Sequence, residues 1–310
     1  MVVTGMKVSS LLVVFVVLLS APAFGERLPS IRAELEADGP ASHVRLHRSV
    51  NSEPETLLEQ AWFDRDGRVT ERVAYDEDGE FGRRIGFTYN DDGDLSGWES
   101  RDADGELEWR YVYLYDEERR VTQEISYDSH GNIEGTELYS YDDDQLVEEA
   151  AYSGDGLPQW RKTYDHDEQS GLVEWAVYFE DGRLLKRGTK FSNPIGRIVR
   201  ERLRDELEDT FEEIAYSYDH EGRVTRARVN DADGRLRRVL EYEYDEYDNV
   251  TRELERDPAG NTVREKRVRY RYDERGNWTE RIKTETQQDP QGTETREETR
   301  FRREIEYHDE

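Results

Sequence analysis

The stretch WFDRDGRVTERVAYDEDGEF, Trp62 to Phe81, states one seven-residue phrase twice. Phe63, Asp64, Gly67 and Val69 match Tyr75, Asp76, Gly79 and Phe81. The phrase is an aromatic residue, Asp, two unconstrained positions, Gly, one further position and an apolar residue. It reads as a β-hairpin loop. Asp suits the first position of a type I turn, where its carboxylate accepts a hydrogen bond from the N–H two residues on. Gly three residues after the Asp supplies the left-handed conformation that closes a three-residue loop in a bulge. Such a loop sets Asp76 against Glu80 and Tyr75 against Phe81 as a cross-strand pair.

Working outward, the Gly position recurs at Gly67, Gly79, Gly93, Gly105, Arg119, Gly131 and Gln145, in steps of 12 and 14. Side chains alternate faces with period two, so even steps predict that every aromatic residue and every residue two after the Gly returns to one face. Val69, Phe81, Leu95, Leu107, Val121 and Ile133 form that apolar series. Trp109, Tyr111, Tyr113 and Tyr115 share one parity, as do Val121, Ile125 and Tyr127, which predicts one greasy and one wet face. Between Gln145 and Gly182 the steps become odd, and bulges or longer loops are expected there, for example in DHDEQSG at 165–171. Residues 197–213 are rich in helix formers, but a gap of 26 between Gly196 and Gly222 equals 12 plus 14 and favours two strands with a turn near Glu208 to Thr210. The beat resumes at Gly222, Gly234, Asp248 and Gly260 and continues to Gly276 and Gly292.

Only 34% of the 310 residues are hydrophobic and 38% are charged, which alone would suggest disorder; 19 Tyr, 9 Phe and 6 Trp argue instead for a thin, ordered structure with a large wetted surface. The net charge of -29 disfavours nucleic acid and anionic membrane surfaces as partners. Zero cysteines exclude disulfides, thiolate metal sites and a cysteine nucleophile. Residues 1–25 read as a secretory signal peptide, with Lys7, the apolar run Leu11 to Leu19, and small residues Ala21, Ala23 and Gly25. The expected location is periplasmic or secreted, with no membrane insertion after cleavage. Residues 26–55, with Pro29, Gly39, Pro40 and Pro54, are expected to form an irregular lead-in, and 56–310 the repeat domain.

Tyr-Asp stands in register at 75, 115, 127, 141, 164, 218, 244 and 272, and His-Gly-Asn at 130–132, Asp-Pro-Ala-Gly-Asn at 257–261 and Arg-Gly-Asn-Trp at 275–278 look like variants of the same turn. On these residues the chain resembles the YD-repeat, or Rhs-repeat, family over most of 60–307. The resemblance implies strands wound into a spiralling β-shell, which in large members encloses a C-terminal toxin or forms an adhesion ectodomain. This chain looks more like small exported bacterial proteins made of the repeat alone. The Gly and aromatic rhythm near Gly131 to Trp160 is also similar to MORN-like repeats. The structural repeat residues are Tyr75, Asp76 and Gly79; Tyr127, Asp128 and Gly131; Tyr218, Asp219 and Gly222; and Tyr272, Asp273 and Gly276.

No catalytic constellation emerges. Asp-x-Asp-Gly at 64–67, 76–79, 102–105 and 231–234 lacks the further ligands of an EF-hand loop and is explained by turn formation. His43 and His47, four apart in an alternating stretch, read as unrelated polar side chains, and His130, His166 and His220 as solvated turn residues. No phosphate-binding loop, HExxH or GxSxG is present. Together these readings predict an all-β, antiparallel meander of about 18 to 20 strands, curled by twist into an open barrel or spiral shell with Tyr inside. The expected role is a non-enzymatic binding or scaffold module without cofactor or metal. Its partner is a carbohydrate or protein at the cell envelope; the alternative is a shell or accessory component of a toxin-delivery or competition system.

Overall fold

A computed structural model describes residues 37, 39–51, 53–76, 78–288 and 293–309. The signal segment 1–25, the remainder of the lead-in up to residue 36, and Gly292 lie outside the described residues.

Twenty strands follow one another. The first seven are β1 (Ala41–Val50), β2 (Thr56–Phe63), β3 (Val69–Tyr75), β4 (Phe81–Tyr89), β5 (Leu95–Arg101), β6 (Leu107–Tyr115) and β7 (Val121–Tyr127). Next come β8 (Ile133–Asp142), β9 (Gln145–Ser153), β10 (Pro158–Asp167), β11 (Leu172–Phe179), β12 (Leu184–Ser192), β13 (Ile198–Asp205) and β14 (Thr210–Tyr218). The last six are β15 (Val224–Asn230), β16 (Leu236–Tyr244), β17 (Val250–Arg256), β18 (Thr262–Tyr272), β19 (Trp278–Gln288) and β20 (Glu294–Tyr307). Each pairs antiparallel with the next, and β1 also pairs with β20, Val44 against Ile305 and Arg48 against Phe301. The predicted meander is therefore closed: a 20-stranded up-and-down barrel, where curling alone predicted an open one. The strand β1 that closes it lies in the segment expected to be an irregular lead-in. The alternation of Val44 and Leu46 between His43 and His47, visible in the sequence, is that of this strand, although Pro40 and Pro54 on either side argued for an irregular segment. Residues 197–213 form β13 and β14 with a turn between them, as the spacing favoured.

The loop chemistry matches the phrase closely. At the second copy, Gly79 N–H donates to Asp76 O (3.1 Å) and Asp76 N–H to Glu80 O (2.9 Å), while Tyr75 pairs with Phe81. Asp76 Oδ1 accepts from Asp78 N–H (3.0 Å) and also from Glu80 N–H (2.9 Å), so one carboxylate oxygen ties two loop amides. Gly79 has φ 82°, and Arg119 and Asp248 take the same left-handed place at 64° and 62°. Two Tyr-Asp pairs depart from the pattern. After Tyr141-Asp142 the chain turns in two residues with Asp143, not Gln145, at positive φ. Tyr164-Asp165 lies within β10, whose turn is capped instead by Asp167.

Next to each such loop is a second irregularity that the spacing does not announce. Tyr75 pairs with Phe81 but Ala74 with Arg83, which leaves Gly82 unpaired. Thr122 is left over in the same way between β6 and β7, and Thr225 between β14 and β15. An extra residue reverses the alternation beyond it. Even steps therefore do not return successive phrases to one face. Tracing the pairings, Val69, Tyr89, Leu95, Tyr115 and Val121 share one wall, whereas Tyr75, Phe81, Leu107, Tyr127 and Ile133 share the other. Trp109, Tyr111, Tyr113 and Tyr115 do stay together, but Val121 parts from Ile125 and Tyr127. These register shifts lie beyond the bulge that closes each loop and occur in most hairpins, not only in the middle; the β10–β11 hairpin, where a bulge or a longer loop was expected, has the loop 168–171 between Asp167 and Leu172 and pairs without a shift.

Curvature identifies the walls. On a concave face side chains two strands apart converge, and such contacts join residues of the first wall: Arg83 of β4 lies over the Trp109 ring of β6, and Arg238 of β16 reaches Glu212 of β14. The same wall holds the buried charges Arg72, Glu149, Lys162, Asp205 and Arg303. It is the inner wall. The outer wall exposes Phe81 (36%) and Ile133 (47%) among alternating Arg and Glu. Twenty strands about 4.8 Å apart and tilted about 40° make a ring about 40 Å across when round, too wide for one layer of side chains to fill.

Candidate functional site: the inner wall and its rims

The inner wall combines aromatic rings with paired charges. Trp98 of β5 stacks on Tyr111 of β6 (centroids 4.4 Å apart, 13° between planes), and its indole N–H donates to the Tyr113 hydroxyl at 3.1 Å. Burial first, and then Glu124, push the Tyr113 phenol far above its usual range; burial and the charges of Glu124, Glu134 and Glu137 push Tyr111 up to about 12. Further round, Lys162 lies 4.7 Å from the Tyr164 ring centroid and 5.4 Å from that of Trp175, and Tyr164 donates to Glu149. Lys186 meets Asp205 at 2.9 Å. Burial works to raise the Asp205 pKa, but Lys186 and the N–H groups of Glu208 and Leu207 outweigh it and hold the carboxyl below the usual range. Tyr216 donates to Glu201 at 2.6 Å, and Arg264 pairs with Glu253 at 2.6 Å.

The two rims differ. On the first rim, at the turns that follow even-numbered strands, each turn is laced to the next. Arg223 pairs with Asp219 of its own turn (2.8 Å), lies over the Tyr244 ring (4.9 Å) and reaches Asp248 of the following turn (2.8 Å). Arg68 over Tyr89, Arg120 over Tyr141 and Arg197 over Tyr218 repeat the stack. Each tyrosine hydroxyl also donates to a carbonyl twenty residues earlier, Tyr89 to Val69, Tyr115 to Leu95, Tyr141 to Val121 and Tyr244 to Val224. His166, expected to be a solvated turn residue, stands inside β10 with Nε2 2.9 Å from Leu146 O and takes a tyrosine's part in this series. On the second rim, Arg101 bonds Gly105 O and Arg235 bonds Asp233, each within its own turn.

The repeat residues are thus divided between rims. Tyr75, Asp76 and Gly79 and Tyr127, Asp128 and Gly131 lie on the second rim, with both tyrosines on the outer wall. Tyr218, Asp219 and Gly222 and Tyr272, Asp273 and Gly276 lie on the first, with both tyrosines inside. Asp128 is held below the carboxylate range by the Asn132 side chain and backbone; Asp219 by Arg223, against a burial effect of opposite sign. Sequence reasoning missed the lacing arginines, although the 26-residue recurrence of Tyr89, Tyr115 and Tyr141, and of Tyr218 and Tyr244, was available to find it.

Other histidines are accounted for locally. His43 stacks on Trp62 at 4.5 Å and bonds Gln60, His47 lies 3.9 Å from Glu304, and His130 and His220 are exposed turn residues. In Asp64-x-Asp-Gly the Asp64 carboxylate binds its own loop amides and Arg68. Among the described residues no group of three or more His, Asp or Glu is arranged to hold a metal ion.

No family model matches the chain, and no curated protein matches it in sequence. Among solved structures it is similar to a porin-like protein from Bacteroides uniformis, with TM-score 0.38 and 14% identity over 86% of this chain and 98% of that one. A porin-like protein from Bacteroides vulgatus gives 0.31 and 11% over 86% and 99%. TcdB2-TccC3 without its hypervariable C-terminal region gives 0.33 and 14% over 82% of this chain, which spans 15% of that one.

Proposed function

We propose that the protein is a non-enzymatic, exported, YD-repeat-like barrel that stands in water at the cell envelope, periplasmic or secreted, and binds carbohydrate on its inner wall. The observation that carries this reading is the division of the strands into an inner wall rich in Tyr and Trp and an outer wall that carries charge along its length. Aromatic rings beside hydrogen-bonding carboxylates and amines suit the alternating apolar and hydroxyl faces of sugar rings. The outer wall supports a water-exposed barrel and not a membrane-spanning one. Arg84, Arg110, Arg202, Arg228 and Arg269 point outward between the rims, where a bilayer-spanning barrel needs an apolar band about 25 Å tall. A second reading, a shell or accessory component in toxin delivery or bacterial competition, is favoured by the width of the ring alone. An array of bacterial and host glycans probed with the full chain separates them. Saturable binding that is competed by free sugar and lost in Trp109→Ala supports carbohydrate recognition. No binding, with a polypeptide co-purifying, supports the second reading.

A further inference from the structure

Outward side chains are charged along most of the ring. On β14 to β17 they include Arg226, Arg228, Glu241, Glu243, Arg252 and Arg256. One sector departs from this. On β6 to β9 an outward cross-strand row runs Val112, Ile125, Thr136, Tyr152, and the row beside it runs Leu114, Gln123, Leu138, Ala150. These neighbouring positions carry no charge in a chain of which 38% is charged, and Leu114 (45%) and Leu138 (39%) stand exposed among them. Tyr127 and Ile133 extend the sector toward the second rim. It measures about 20 Å each way, on the order of 400 Å², as large as the largest apolar patch of a typical monomer.

What covers such a face follows from the rest of the ring. Because β1 pairs with β20, no strand edge among the described residues is left to pair with another sheet, so two copies can meet only through a wall or a rim. The rims carry acidic turns such as Asp91 to Asp94 and Asp142 to Asp144, and like charge keeps them apart. A strongly basic partner would be drawn to those rims and not to an uncharged wall. The border of the sector holds both signs, Arg110 and Arg161 together with Glu99 and Glu148. An apolar centre with a border of mixed sign is complementary to itself, as a two-fold contact requires.

We propose that the uncharged sector of β6 to β9 is a face-to-face contact between two copies of this chain. The contact is independent of what the inner wall binds. Its area is about half of what a standard interface takes from each partner, so the dimer is weak, with a dissociation constant on the order of 10–100 μM. Each copy carries a net charge of -29, so screening strengthens the contact.

Sedimentation velocity of the full chain, over a concentration series at low and at high salt, tests it. The expected result is a monomer–dimer equilibrium that tightens severalfold from about 0.05 to about 0.5 M salt. A Leu114→Gln, Leu138→Gln double variant keeps the net charge, alters only exposed side chains, and should weaken the dimer about tenfold or more with its circular dichroism unchanged. Ile195→Gln, at an exposed apolar residue in the turn between β12 and β13, should leave the dimer as it was. A chain that stays monomeric throughout would overturn the proposal, as would a dimer of equal affinity in the double variant. Association that weakens with salt would reveal a contact between charged surfaces and would overturn it too. A monomeric chain that floats with phosphatidylcholine vesicles, and ceases to in the double variant, would overturn it in favour of a lipid surface.

Discussion

At the scale of single residues, the fold is written in its turns. Gly79 sits at φ 82°, and a Cβ there would meet the Thr56 methyl at 3.2 Å. We expect Gly79→Val to lower unfolding free energy by about 1–3 kcal/mol, because a β-branched side chain both strains the left-handed backbone and presses on β2. Chemical denaturation followed by circular dichroism measures it, and an unchanged midpoint would contradict the turn geometry. Arg119 and Asp248 adopt the same φ without glycine, so the position is costly rather than forbidden. This part of the architecture was legible in the sequence because the information is local. An Asp that ties two amides and a Gly that turns left-handed leave the same mark wherever the loop occurs.

At the scale of elements the sequence was less transparent. Strand existence followed from the 12 and 14 steps, but facing did not follow from step counts alone; the overlooked signal is the unpaired residue next to most first-rim loops, which is Thr70, Ser96, Thr122, Thr225, Thr251 or Thr279, always three after the Gly position. Its Oγ1 does bond back across the hairpin, Thr122 to Leu114 O at 3.3 Å and Thr225 to Ser217 O at 3.3 Å, a signal visible only once the register is known. The unit that restores both face and rim is thus the strand pair of 26 residues. Lacing on one rim alone makes the two ends of each pair unequal. We expect Arg223→Ala to speed amide hydrogen exchange severalfold in the next turn, 245–249, because a ring stack and an ion pair to that turn are lost together. Arg235→Ala, whose contact stays within its own turn, should leave 257–261 unchanged. Equal responses at the two rims would show that the lacing does not hold the turns.

At the scale of the whole molecule, closure separates two populations of tyrosine and two kinds of charge. Inner tyrosines are shifted upward by burial, Tyr111 and Tyr115 to about 12, against an ordinary value near 10. A phenol whose folded pKa exceeds its unfolded one stabilises the fold fully below about pH 10, and that contribution is lost as pH rises through the folded value. We expect the tyrosinate absorbance removed by Tyr111→Phe and Tyr115→Phe to be absorbance that rises close to pH 12; loss of absorbance rising at pH 10 instead would deny the inner wall its burial. The acidic excess lies mostly in the turns, in runs such as Asp91 to Asp94 and Asp142 to Asp144, so both mouths are negative while inner charges are largely paired. The curl with Tyr inside was legible beforehand, but the closure was not, because the seam depends on β1 and β20, which meet across 261 residues between Arg45 and Glu306. Every other junction in the ring joins strands consecutive in the chain. The seam holds only through its backbone ladder and side-chain contacts such as Arg45 to Glu306, which makes it the clasp of a bracelet.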